Sequence, residues 1–290
     1  MALLATVNSP ADLKKLSLAQ LAELAKELRE LIVGTVSKTG GHLASNLGVV
    51  ELTLALHYVF DFQTDRLVWD VGHQCYVHKI ITGRREAFSR LRQEGGLSGF
   101  PSPQESDYDQ FAVGHAGTAV ATAVGLAHGD RLIGRDNRVV AVVGDASIVN
   151  GVSFEGLNNV SALKRQFLVV LNDNSMAIDV TQGGLANCLY RLRFTHTYED
   201  LKKRVYGLLD HVPLGKSILE RFQHLKEGVK TALAPGQIFE QLGLTYLGPL
   251  DGHDLGLLVR ALNVVRDAPY PILLHVHTQK GRGARFASSD

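Results

Sequence analysis

This 290-residue chain has little cysteine, a single tryptophan and no surplus of either charge. Its two cysteines, Cys75 and Cys188, form no CxxC pair. They rule against a disulfide framework and suit a reducing, cytoplasmic setting. Thirty Lys+Arg stand against 29 Asp+Glu, a formal net charge of +1. That balance argues against a broad nucleic-acid surface and against a basic membrane-binding face. No apolar run approaches the roughly 18 residues of a membrane helix. The opening MALLATVNSP lacks the basic n-region of a secretory signal. What is abundant is apolar and small: 45% hydrophobic residues can bury a sizeable core, and 29 glycines cluster in short loops. Glycine in such loops lets backbone approach a ligand closely. The length allows one large α/β domain or two of roughly 150 residues.

The pattern alternates. Ser17 and Gln20 fit a capping box ahead of an apolar stripe at Leu18, Leu21, Leu24, Leu28 and Leu31, so a helix opens the chain over residues 1–33. A glycine-bearing loop, Ser37–His42, precedes an apolar helix at Val49–Phe60. Leu67–Trp69 is a short buried strand ending at Asp70, with Val71–Gln74 as the loop beyond it. Residues 84–112 are polar and glycine-rich and predict a long surface loop. Gly114–Gly117 leads into a small-residue helix over Thr118–Ala127. Arg138–Val143 and Phe167–Leu171 are β-branched, apolar strands separated by a helix at about Ser153–Leu163, which makes a βαβ unit. Residues 183–236 lack strand signals and predict a helical excursion. A helix at Ile238–Leu242, a strand at Thr245–Leu247, a loop at Gly248–His253, a helix at Leu255–Val265 and a strand at Ile272–His277 complete an open, mostly parallel α/β sheet flanked by helices.

Ligands in such sheets bind beyond the carboxyl ends of the strands. Asp145 and Asn174 both fall there, 29 residues apart. A carboxylate, a carboxamide oxygen and neighbouring carbonyls are hard oxygen donors that suit Mg²⁺. Ala146-Ser147 leads toward a helix N-terminus, which favours phosphate. The spacing alone leaves a second reading open, in which Asp145 and Asn174 merely cap a turn and a helix.

Gly144-Asp145 followed by Leu171-Asn-Asp-Asn174 resembles the GD(G)…N diphosphate motif of thiamine-diphosphate enzymes. Gly41-His42-Leu-Ala-Ser-Asn-Leu-Gly48 with Val50-Glu-Leu-Thr53, and Trp69-Asp-Val-Gly-His-Gln74 with His78-Lys79 and Thr82-Gly-Arg-Arg85, narrow the resemblance to the 1-deoxy-D-xylulose-5-phosphate synthase family. Gly95-Gly-Leu97, Val113-Gly-His115, Phe154-Glu-Gly-Leu-Asn158, Gly248-Pro-Leu-Asp-Gly-His253 and Lys280-Gly-Arg-Gly283 continue it in order. Transketolase shares the architecture but matches these strings less well.

The resemblance implies Mg²⁺ held by Asp145, Asn174 and the Met176 carbonyl. It implies thiamine diphosphate held by His73, Gly114, His115, Ala116, Ala146, Ser147 and Asn174. His42 would sit on the substrate side of the thiazolium, where an imidazole can hydrogen-bond or move protons, so His42 and His73 are the catalytic candidates. The implied reaction moves a two-carbon unit from pyruvate, with loss of CO₂, to glyceraldehyde 3-phosphate. The product, 1-deoxy-D-xylulose 5-phosphate, feeds isoprenoid and thiamine biosynthesis. The implied fold is a single diphosphate-type domain over residues 1–290, with the pyrimidine-type and C-terminal domains absent. A separate subunit carrying the pyrimidine-type domain and its activating glutamate is therefore expected, in a homo- or hetero-oligomer.

The chain also departs from the family pattern. Ala146 replaces a glycine, and a positive φ there would cost roughly 1 kcal/mol. Ala116 replaces a hydroxyl residue, and Ala284 stands where the family has tyrosine. These departures motivate a competing reading as a non-catalytic or regulatory cofactor-binding homologue; a different transketolase-type carboligase is a third. Some side chains are expected to be structural: His57 and His128, Asp70 bracing its loop, and His275 and His277, which lack nearby acids or cysteines for a metal. The Arg191–Arg193 and Lys202–Arg204 clusters read as solvated faces. Cys75 has no base and is not a nucleophile candidate.

Overall fold

The computed structural model describes residues 2–174 and 237–284. The helical excursion at 183–236, Met176, Cys188 and the two basic clusters lie outside the described residues. Ten α-helical segments matter here: α1 (Pro10–Leu13), α2 (Leu18–Thr39), α3 (Leu43–Gly48), α4 (Val50–Val59), α5 (Tyr76–Lys79), α6 (Ala119–Leu132), α7 (Asp145–Ile148), α8 (Gly151–Val160), α9 (Gln237–Gln241) and α10 (Leu255–Arg266). Five strands, β1 (Arg66–Trp69), β2 (Val139–Gly144), β3 (Phe167–Asp173), β4 (Thr245–Asp251) and β5 (Pro271–His277), form one all-parallel sheet in the order β1-β2-β3-β5-β4.

Side chains alternate across each strand, and the core divides accordingly. Leu67, Trp69, Val140, Val142, Leu168, Val170, Ile272 and Leu274 pack under α2, α4, α5 and α10. Val68, Val139, Ala141, Val143, Val169, Leu171 and Leu273 pack under α6, α8 and α9. Both faces are covered, which is why the strand sequences read as continuous apolar runs. The chain crosses β1→β2→β3 in one direction with α6 and α8 on one face. It crosses β4→β5 in the other direction with α10 on the opposite face, as right-handed crossovers require. The connections therefore change face between β3 and β5, the kind of switch point at which open sheets bind ligands.

Local chemistry explains most boundaries. The capping box at Ser17 forms as expected: Gln20 N–H donates to Ser17 Oγ and the Ser17 N–H to Gln20 Oε1. The helix then runs to Thr39, six residues past its expected end. Ile32, Thr35 and Val36 keep facing the core, and only Gly40, at φ +73°, breaks it. Leu18 is exposed, so the buried stripe lies over Leu21, Leu24, Leu28 and Ile32. Helix α4 is buried on nearly every side, as an all-apolar helix must be. Residues 248–251, expected as loop, extend β4 beyond a register shift between Leu247 and Leu250.

Candidate active site

The strand β1 ends at Asp70, whose buried carboxylate reaches across the sheet edge. It accepts hydrogen bonds from the backbone N–H groups of Gly117 (3.0 Å) and Ala119 (3.1 Å). Asp70 thus braces the segment leading into α6 as well as its own strand end. Ser153 Oγ of α8 donates to the Gly117 carbonyl at 3.0 Å. Gly117 has φ +82°, and a Cβ there would lie 2.5 Å from Asn150 Cγ, so only glycine fits. These ties fix the loop holding Gly114, His115 and Ala116 beside the carboxyl end of β1, with all three residues exposed.

Past Asp70 the backbone is left-handed at two successive residues, Val71 (φ +58°) and Gly72 (φ +87°). A β-branched residue there is strained, and such strain is concentrated at functional sites. The turn delivers His73 against His42, with ring centroids 5.4 Å apart and edge to face. Asn46, fully buried in α3, joins the two segments. Its Nδ2 donates to the carbonyls of His42 (2.6 Å) and His73 (2.7 Å), and its Oδ1 accepts from Tyr76 N–H at 2.9 Å. The Tyr76 hydroxyl accepts from the His42 N–H at 3.1 Å. The backbones are pinned while the rings are not: Nδ1 of His42 and Nδ1 of His73 are both buried without a hydrogen-bond partner. Burial, with Arg92, lowers the pKa of His42. Burial, with His42 and Lys280 and against Asp70, lowers His73 to about 4. The pair is neutral at pH 7, so each ring keeps one acceptor nitrogen and one donor.

Phe100 lies on the other side of His42, 5.7 Å between centroids. It belongs to the segment expected as a surface loop, which is instead anchored by buried charge. Asp109 accepts from Arg84 Nη1 (2.7 Å), Arg84 Nη2 (3.0 Å) and Ser102 N–H (2.7 Å), and pairs with His78 Nε2 at 2.7 Å. Glu105 pairs with the fully buried Lys79 and accepts from Ser98 N–H at 2.7 Å. The two carboxylates therefore grip residues 98 and 102, on either side of Phe100. Burial works to raise Asp109, but His78 and Arg84 overcome it and hold the carboxyl well below the usual carboxylate range. Beyond His78, His57 Nε2 meets His78 Nδ1 at 2.9 Å, a wholly buried relay in which burial keeps both rings neutral. The structural reading of His57 holds.

The Lys280-Gly-Arg-Gly283 segment is clamped to the same end. Arg29 donates from Nη1 and Nη2 to the two carboxylate oxygens of Glu51, each at 2.7 Å. His253 Nδ1 approaches Glu51 at 3.0 Å, and His253 Nε2 accepts from the Gln279 N–H at 2.8 Å. Gly281 N–H donates to the Ala44 carbonyl at 2.8 Å. Burial would raise Glu51, but His253 and Arg29 hold it at about 2. Burial pushes the Cys75 thiol up to about 12, consistent with its exclusion as a nucleophile.

Asp145 follows β2 directly and starts α7; Asn174 follows β3. The register pairs Gly144 with Asn172, so the two residues leave neighbouring strands at the same edge. Ala146 is helical and has no positive φ, so the strain its Cβ would cause in a left-handed loop does not arise. Its N–H donates to Asp145 Oδ1 at 2.8 Å. Ser147 lies in the same turn. The donor set of Asp145 and Asn174 fits a hard dication, and the partnerless Nδ1 atoms of His42 and His73 fit a polar ligand at the adjoining strand end.

The family model of 1-deoxy-D-xylulose-5-phosphate synthase matches residues 4–278. The chain belongs to this synthase family. It is 50% identical over 97% of its length to a 1-deoxy-D-xylulose-5-phosphate synthase of Syntrophomonas wolfei. It is 48% identical over 99% of its length to one of Dechloromonas aromatica. It spans 44% and 46% of those relatives, less than half of each. Among solved structures, transketolases from Campylobacter jejuni (TM-score 0.68, 21% identity) and Leishmania mexicana (0.66, 18%) share the fold over 93% and 91% of this chain. These cover 39% and 37% of the transketolase chains. Sequence reasoning does not single out Asn46, Phe100, Glu105 or Asp109 as parts of this site. A buried amide or carboxylate gives no periodic signal, and only the fold shows Asn46 and Asp109 enclosed by it.

Proposed function

We propose that residues 1–290 form a diphosphate-type domain that holds Mg²⁺–thiamine diphosphate and contributes one side of a 1-deoxy-D-xylulose-5-phosphate synthase site. In this reading a transketolase-type transfer moves the two-carbon unit of pyruvate, with decarboxylation, to glyceraldehyde 3-phosphate. The supporting observation is the neutral His42–His73 pair, pinned by Asn46 with both Nδ1 atoms partnerless, at the edge where Asp145 and Asn174 leave the sheet.

Asp145, Asn174 and the Met176 carbonyl would hold Mg²⁺. An Asp145 carboxylate turned to the metal would release the Ala146 N–H, which with Ser147 would then serve the diphosphate. Gly114, His115 and Ala116 would line the cofactor, with His73 near its diphosphate end. His42 would meet the substrate, as a donor or as a proton carrier whose lowered pKa keeps it neutral near pH 7. Thiamine diphosphate, when bound, supplies the thiazolium carbon that carries the two-carbon unit; the protein binds and orients. Phe100 and the Lys280 segment would help exclude water.

We place the activating glutamate in a pyrimidine-type domain outside these residues, and the assembly in the cytoplasm as an oligomer. None of the helices among the described residues is long and apolar enough to cross a membrane. The reading as a non-catalytic homologue loses one motive, since Ala146 is unstrained; Ala116 and the altered tail from Ala284 remain. The test is product formation from pyruvate and glyceraldehyde 3-phosphate with a pyrimidine-type domain added in trans. Turnover that requires both components and Mg²⁺ is expected. Turnover by this chain alone would overturn the shared-site reading, and no turnover with cofactor demonstrably bound would favour the non-catalytic homologue.

A further inference from the structure

At the switch point between β3 and β5, three side chains converge that the proposed reaction does not use. The register sets Leu171 beside His275 and Asp173 beside His277. Side chains two apart on a strand share a face, so His275, His277 and Asp173 all project toward the α6, α8 and α9 side. His275 Nε2 lies 2.9 Å from Asp173 Oδ2, and His277 Nε2 lies 3.8 Å from the same oxygen. The two imidazoles are 4.8 Å apart at their centroids. One nitrogen from each histidine and one carboxylate oxygen all fall within 4.8 Å of one another. The acid that the sequence pattern did not place near these histidines is supplied by the neighbouring strand.

We infer that Asp173, His275 and His277 form a second cation site, specific for a divalent transition metal of the Zn²⁺ class. Two imidazoles and one carboxylate are a borderline set that suits Zn²⁺ and leaves a position for water, whereas Mg²⁺ prefers oxygen donors. A tetrahedral metal at about 2.0–2.1 Å from each ligand holds them roughly 3.3 Å apart. The 2.9 and 3.8 Å separations bracket that spacing, and closing the site asks most of His277. His277 is the most exposed of the three, at 25% of its side chain against 6% for His275 and 7% for Asp173.

A further feature of the site is the hydrogen bond behind the ligand. Metal-binding histidines have their second ring nitrogen tied to a polar group that fixes tautomer and orientation. Tyr246 Oη lies 2.6 Å from His275 Nδ1. Without metal, the Nε2–H faces Asp173 and the tyrosine hydroxyl donates to Nδ1. With Nε2 on a metal, the proton moves to Nδ1 and the same hydroxyl accepts it. A hydroxyl serves either role by rotation, so the same tyrosine can hold the His275 ring with or without metal. Alternation along β3 sends Asn172 to the other face, where its Oδ1 accepts from Thr278 Oγ1 at 2.6 Å.

The test uses the untagged full chain, stripped with chelator and kept in excess Mg²⁺. Zn²⁺ alone is titrated by calorimetry, and Co²⁺ alone is followed by its visible ligand-field absorption. We expect saturable binding of one Zn²⁺ per chain, weakened about tenfold or more in His277→Ala. Asp145→Ala, which alters the oxygen-donor edge, leaves Zn²⁺ affinity unchanged. Loss of binding in Asp145→Ala with retention in His277→Ala would put the ion at that other edge and overturn the proposal. Equal affinity in all three proteins would assign it to scattered surface histidines and would overturn the proposal as well. Should His277→Ala fail to fold, the Co²⁺ spectrum of the unsubstituted chain decides: intense four-coordinate bands support the site, and a weak six-coordinate spectrum contradicts it.

Discussion

Two histidine pairs, built from neighbouring stretches of chain, have opposite characters. His57 and His78 are wholly buried, linked to each other at 2.9 Å and through His78 to Asp109 at 2.7 Å. That chain of bonds ends on a carboxylate gripped by Arg84, and it locks the 84–109 segment onto α5. His42 and His73 are half-buried, and their hydrogen bonds are made by their backbones alone, through Asn46 and Tyr76. The lesson is where the bonding capacity is left. One pair uses its rings to hold the fold; the other is held so that its rings stay available. Both are neutral at pH 7 because burial disfavours the charged imidazole.

The comparison is broken most severely at Asp109. Asp109→Ala leaves Arg84 and Lys79 buried with one carboxylate between them, a loss of about 3–5 kcal/mol in urea denaturation. A loss under about 1 kcal/mol would show that the buried relay does not hold the segment. Asn46→Ala should cost about 3 kcal/mol, since two carbonyls and one N–H lose their partner. It should also weaken thiamine diphosphate binding, because the two rings lose their common anchor. His73→Ala sits at the opposite pole: stability within about 1 kcal/mol of the parent, with cofactor affinity reduced more than tenfold. Equal damage to stability and binding would erase the distinction between the pairs.

The smallest effect is in pH dependence. The folded pKa values of His57, His78 and His73 lie below the ordinary 6.5. The unfolded chain therefore takes up protons first, so this stability is complete above about pH 6.5 and falls as pH drops below it. For His73 the loss continues down to about pH 4. Thermal melts between pH 8 and pH 5 should show the decline, with a shallower slope in His57→Asn. A flat profile in the parent chain would mean that these rings are already charged when folded.

The strands and the helices that cover them were legible because their apolar periodicity is strong: Val139–Val143 and Phe167–Leu171 can only be buried on both faces. Strand ends indicate where an open sheet binds a ligand, and Asp145 and Asn174 are proposed as ligands because they fall there. The order of β4 and β5 was not legible, since nothing in Thr245–Leu247 distinguishes an edge from an interior place. Residues 84–112 look like loop because Arg84, Glu105 and Asp109 are charged, yet Arg84 and Asp109 are buried as a pair with Glu105 half-buried beside them, and pairing across 25 residues leaves no local pattern. Asp173 likewise was hidden from His275 and His277 by more than a hundred residues, and only strand register joins them. The strain expected at Ala146 rested on a φ that sequence does not contain.

The most direct measurement is calorimetric titration of thiamine diphosphate into the full chain, with and without Mg²⁺, in the parent and in Asp145→Ala and His73→Ala. The account predicts binding that requires Mg²⁺, is lost in Asp145→Ala and is weakened more than tenfold in His73→Ala, with each variant still folded. Absence of binding by the folded parent chain, even with a pyrimidine-type domain supplied, or undiminished binding in both variants, would contradict it.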